Sequence, residues 1–248
     1  MNHDNINLDS VDFDYDGDTT VGDYTITISQ DDMPMNPRID FDNLGTMVCW
    51  HNRYDLGDKH GYETPMVFMH VLSGLYSETA TEDLTDEQRN RCHVVAAEKA
   101  IILPLYLYDH SGITMRVSAF NDAFDSGKVG YIYVTKEKIR AEYVLGRVSP
   151  KMNERIVKGL VAEVEQYDQY LTGEVYGYNI VKNVDGEEVD VDSCWGFFGH
   201  EGSGIEEEIR AAIAADIADT PQQLEMDVAQ FLTITQGCEI ITLSSQTT

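Results

Sequence analysis

Apolar, β-prone runs that end in turns of Asp, His and Gly set the strongest limit on how this chain folds. They read NLGTMVCWHNRYDLGDKH (43–60), ILPLYLYDHSGITM (102–115), DSGKVGYIYV (125–134), EVYGYNIV (174–181) and DSCWGFFG (192–199). Val175–Lys182 and Val189–Phe198 flank Asp185-Gly186 and predict a hairpin. Tyr24–Ser29 alternates with period two and predicts a further strand, at a sheet edge. Pro104 inside the run 101–108 argues for an edge or a bulge at that point.

Helix start and stop signals lie between these runs. Thr64-Pro65 supplies an N-cap and a first-turn proline for a helix over 66–76. Thr85 with Gln88 forms a capping box for 86–99, and Thr135 caps 136–143. Ser149-Pro150 opens the longest helix, whose stripe of Met152, Ile156, Leu160, Val164, Tyr167 and Leu171 ends at Gly173. Helix 205–218 follows, then a helix capped by Thr220 to about 231 and a strand over 232–243. There is no regular βαβ alternation and no G-x-G-x-x-G, and Ser126-Gly127-Lys128 lacks the rest of a P-loop. The pattern predicts an α+β fold: an antiparallel or mixed sheet with helices packed mainly on one face. The expected division is an acidic extension over 1–35, a core over 36–200, and a C-terminal segment, 201–248, packed on that core.

Charge bears on partners. Forty-four Asp and Glu against 17 Lys and Arg give a net −27, which repels nucleic acid and anionic membranes and attracts basic surfaces. Adaptation to high salt, a partner with a cationic site, and a composition without a specific partner all fit this number. Residues 1–50 hold eleven Asp, no Glu and one base, Arg38. Eight of the seventeen bases fall between Lys128 and Lys158, where they read as a solvated helix face paired with acids elsewhere, or as a contact for phosphate. Cys49, Cys92, Cys194 and Cys238 are far apart, without zinc-finger spacing or a disulfide framework. Met1 leads into Asn, His and Asp without an apolar run, and no apolar run approaches a membrane span. The chain reads as cytosolic and reduced.

Two constellations carry candidate chemistry. Asp12, Asp14 and Asp16, with Gly17 at position six and Asp23 at position twelve, match the spacing of a calcium loop, and Asp18 adds oxygen donors. Against it, no helix precedes Asp12, and position twelve lacks the longer Glu. Asp55, Asp58 and His60 in one turn, with Asp109 and His110 in another, would make a divalent-metal or acid–base site if folding joined them. The same residues also suit hydrogen-bonded tight turns. Cys49 and Cys194, each near a Trp, read as small core residues. The tyrosines at 106, 108, 131, 133, 176 and 178 read as a core with phenol groups at its rim.

The blocks DNLGTMVCWHNRYDLGDKH, PLYLYDHSGITM, DSGKVGYIYVTKEKIRAEY, EVEQYDQYLTGEVYGY and DSCWGFFG resemble a family of proteins encoded by bacteriophages, prophages and other mobile elements. The resemblance spans about 42–199 and carries no catalytic residues over. It implies an accessory gene product acting in the cytoplasm of a bacterial host. With the net charge, it leads to the expectation of an acidic protein that covers a basic, nucleic-acid-binding surface of a host protein, blocking a defence by mimicking DNA charge. A metal-dependent hydrolase or nuclease built on the Asp/His cluster is the alternative, and a virion or structural role is a third.

Overall fold

The computed structural model describes residues 8–15, 17–122, 124–200 and 202–219. The predicted helix to 231 and strand 232–243 lie outside them. In chain order the elements are β1 (Asp18–Val21), β2 (Tyr24–Gln30), α1 (Pro37–Asp40), β3 (Thr46–Cys49), α2 (Pro65–Ser73) and α3 (Asp86–Lys99). Then come β4 (Ala100–Asp109), β5 (Ile113–Arg116), β6 (Ser126–Thr135), α4 (Lys136–Glu142), α5 (Pro150–Thr172), β7 (Val175–Val184) and β8 (Glu187–Phe198). A last helix, α6, covers 205–219. Among the described residues no helix is long and apolar enough to cross a membrane.

The fold is α+β with two four-stranded sheets, β1-β2-β7-β8 and β3-β6-β4-β5. Each belongs to its own compact unit. A terminal unit joins Met1–Asp32 to Tyr176–Thr248, and a central unit holds Met33–Val175. The units meet at 32/33 and at 175/176. The cause is pairing: β2 takes β7 as its partner, from Tyr24↔Lys182 to Gln30↔Tyr176, and so draws the two ends of the chain into one sheet.

In the terminal unit Tyr24, Ile26 and Ile28 alternate inward and meet Tyr178 and Ile180 of β7 and Ile205, Ile209 and Ile213 of α6. The strand expected at an edge lies inside the sheet, bonded to both β1 and β7. Residues 8–15 are not a loose extension. Phe13 is buried, and Leu8, Val11 and Tyr15 pack on the same core. Arg210 of α6 donates to the carbonyls of Leu8 and Val11 and lies over the Phe13 ring. These apolar residues are interleaved among aspartates without helical or strand period, so pattern reading alone passes over them. On α6, Asp216 accepts from Tyr24 Oη and Lys182 Nζ, each at 2.6 Å, and so ties the helix to β2 and β7.

In the central unit helices cover both faces of the sheet. Ile156, Leu160, Val164 and Tyr167 of α5 pack on Met47, Leu105, Met115 and Ile132. On the opposite face Phe68 and Met69 of α2 and Ala96 of α3 meet Val48, Ile102, Tyr131 and Tyr133. The predicted caps form: Thr64 and Ser149 accept first-turn N–H groups, the Thr85/Gln88 box closes both ways, and Gly74 and Gly173 end their helices in the left-handed conformation. Pro104 sits beside a register shift at Leu105/Tyr106, where β4 has not yet met β5, so its missing N–H disrupts no ladder on that side.

Candidate functional site

The terminal unit concentrates the charge. Of the 44 acids and 17 bases, it holds 23 acids and 2 bases, a net −21, which leaves 21 acids and 15 bases, net −6, to the central unit. Both terminal-unit bases are committed internally: Lys182 to Asp216, and Arg210 to Glu206. The β7–β8 hairpin exposes Asp185, Glu187, Glu188, Asp190 and Asp192, and α6 exposes Glu207 and Glu208. Tyr178 Oη donates to Asp192 at 2.7 Å; burial first, and then this carboxylate, hold the phenol well above its ordinary pKa.

The described aspartates of the calcium-type spacing run along the β1–β2 hairpin and the segment before it. Asp18 starts β1 and accepts from Thr27 Oγ1 at 2.6 Å, while Asp23 occupies the turn beyond the strand's other end. Four extended residues span about 13 Å, whereas calcium ligands lie about 2.3–2.6 Å from one ion. Asp12 and Asp14 are exposed, and Asp16 lies outside the described residues. Among the described residues no group of three or more His, Cys, Asp or Glu is placed to hold a metal ion.

The Asp/His candidates of the central unit separate. Asp58 binds Arg38 through two parallel bonds (Nε–Oδ1 2.9 Å, Nη2–Oδ2 2.7 Å) and accepts the Met47 N–H at 2.8 Å. Arg38 also donates to Glu163 of α5 at 3.0 Å and to the Gly45 carbonyl, and Glu163 in turn accepts the N–H groups of Leu44 and Gly45. Burial pulls the Arg38 pKa down, but bonds to Asp58 and Glu163 more than offset it, and the pKa lies above the usual arginine value. The turn before Asp58 closes over β3 so tightly that a Cβ on Gly57, whose φ is +72°, would fall 2.9 Å from the Met47 carbonyl. His60 contacts the Cys49 carbonyl through Nε2 (2.9 Å) and accepts the Tyr62 N–H through Nδ1, its ring stacked on Tyr62 and tilted against Trp50. Asp58 and His60 thus bond to Arg38 and to backbone groups, and Asp55 is exposed on the same loop.

Asp109 lines a polar pocket of about 340 Å³ at the ends of β4 and β6, together with His51, Arg53, Asp125 and Lys128; His110 does not line it. Asp109 accepts from Arg53 and from Tyr54 Oη. One step across the ladder Asp125 pairs with His110 Nδ1 at 3.0 Å. His51 uses Nδ1 to accept the N–H groups of Arg53 and Tyr54, which places its proton on Nε2 in the neutral form. Sequence alone does not single out His51, Arg53 or Asp125 as site residues. Their only signal was membership in the two turn-rich blocks, because the register that sets Asp109 beside Asp125 joins residues far apart in sequence. Cys49 is pushed up to about 12, by burial and by Asp58, so its thiol is a poor nucleophile. Cys194, expected in a core, is exposed.

Among the bases of 128–158, two bond to backbone carbonyls and two meet aromatic side chains, Lys128 reaching Tyr131. Lys136 donates to the Glu98 carbonyl and Lys138 to those of Asn43 and Leu44, while Arg155 lies over the Tyr143 ring. No family model, curated protein or solved structure matches the chain.

Proposed function

We propose that this protein is a non-enzymatic binder whose terminal unit covers a cationic surface of a nucleic-acid-binding protein. The observation that supports it most is the 23-to-2 ratio of acids to bases in that unit, with both bases already neutralised inside it. A surface of this kind offers a basic groove the same sign of field as a phosphate backbone. The resemblance to phage and mobile-element proteins extends the proposal to a partner in the host cytoplasm and to interference with a host defence. The test is competition: the protein should displace duplex DNA from a basic DNA-binding protein at low salt and lose that ability as salt rises. Displacement insensitive to salt, or none at low salt, refutes the proposal.

A second reading, hydrolysis beside the polar pocket, draws on the His110–Asp125 pair, in which a carboxylate that lines the pocket orients an exposed imidazole outside it. It requires esterase activity toward an activated ester that falls in both His110→Gln and Asp125→Asn. Equal activity in all three proteins removes it.

A further inference from the structure

The outer strand of the terminal unit has features that an acidic surface alone does not require. β8 runs for twelve residues and ends the strand order β1-β2-β7-β8, so among the described residues it has one neighbour, β7. Residues 187–190 and 192–196 are exposed, while Val191 and Phe197 pack on the core and fix the strand in place. Over residues 187–196, and among the described residues, the outer side of this edge has no strand against it, and such an edge displays backbone donors and acceptors and invites another strand. Here Glu187, Glu188, Asp190 and Asp192 select which one. A second copy of β8 would set like charges against each other, whereas a lysine- or arginine-rich strand would meet opposite charges. Trp195 adds an anchor. Its ring is half exposed and lies flat on Gly177 of β7, where a Cβ would fall 2.2 Å from ring atom Cε3. Only glycine leaves that seat open, and tryptophan is among the residue types enriched at the energetic centre of interfaces.

We infer that β8 is the docking edge for an extended, basic segment of the partner, which joins the sheet as a fifth strand with Trp195 as its aromatic anchor. This rests on the acidic-binder proposal and adds to it a place and a backbone geometry. Strand addition takes affinity from main-chain hydrogen bonds and specificity from side chains, so the two contributions separate by experiment.

The full chain is titrated at low salt with three probes: a short peptide of alternating lysine and threonine, the same peptide N-methylated at every backbone amide, and polylysine. The unmodified peptide should bind about tenfold or more tighter than the methylated one, slow hydrogen exchange along β8, and weaken in Trp195→Ala. Equal binding of the two peptides, or binding of polylysine alone, overturns edge docking and leaves the charge-based proposal standing. Silence of all three probes overturns both. Unchanged peptide affinity in Trp195→Ala, with the circular dichroism of the parent, overturns the anchor.

Discussion

Replacing Arg38 by methionine tests whether the Asp58–Arg38–Glu163 network holds the central unit together. The Arg38 side chain is 1 % exposed, against 21 % for Asp58 and 15 % for Glu163, so its removal strands two carboxylates that water reaches poorly. Breaking a buried ion pair from one side costs about 3–5 kcal/mol. At about 2–4 °C per kcal/mol for a chain of this size, Tm should fall by about 6–20 °C. The carboxylates also hold the N–H groups of Met47, Leu44 and Gly45. An all-apolar triple replacement should therefore stay destabilised, since each orphaned buried donor costs about 1–3 kcal/mol. Arg38→Met combined with Asp58→Asn and Glu163→Gln keeps acceptor oxygens, loses the charge, and should recover most of the loss. The assay is urea unfolding followed by tryptophan emission. Trp50 lies in the central unit and Trp195 in the terminal unit, so a Trp195→Phe background makes Trp50 the reporter. A loss below about 1 kcal/mol in Arg38→Met, within the range of an exposed pair, or full recovery in the apolar triple variant, would refute the reasoning.

Three further outcomes are expected. Burial raises the Asp216 pKa, but bonds from Lys182 and Tyr24 outweigh it and set the folded value below the ordinary carboxylate. That contribution is present above the unfolded pKa of about 3.9 and is lost as pH falls through the folded value, so acid unfolding should flatten in Asp216→Asn; an identical acid limb in parent and variant counts against the tie. Burial, then Tyr62 and Asp58, push Tyr133 up to about 12. Its contribution is complete below the unfolded pKa of about 10 and lost as pH rises through the folded one, so Tyr133→Phe should unfold less steeply in alkali by far-ultraviolet circular dichroism. With Cys49 at about 12, only about one thiol in 10⁴ is ionised at pH 8. A thiol reagent should therefore modify Cys194 in the native protein and Cys49 only after unfolding, and a fast phase that survives in Cys194→Ser but vanishes in Cys49→Ser would contradict this.

The helices were legible because their signals are local: a Thr or Ser cap, a proline one residue on and a glycine at the end act within a single turn. Pro104 was legible for the same reason. The unit division was not, because β2 pairs with a strand about 150 residues further along, and nothing near Tyr24 names that partner. Arg38 stood out in the sequence only as the lone base among the first fifty residues, because its partners come from residues 58 and 163. The Asp58 and His60 turn looked like chemistry because buried ion pairing and catalysis recruit the same residue types. The charge partition was hidden for a related reason: the acids at both ends of the chain add up only once the sheet has brought those ends together.

The central unit is, in effect, an insertion between two paired strands, since Gln30 and Tyr176 face each other across the β2–β7 ladder. On a ribosome adding about 5–20 residues per second, β2 waits about 7–30 s for β7 to be made. During that interval the central unit can fold while the aspartate-rich start of the chain has no sheet to join. The acidic surface therefore forms only after the central unit has been made, and a nascent chain does not carry it until β7, β8 and α6 have emerged.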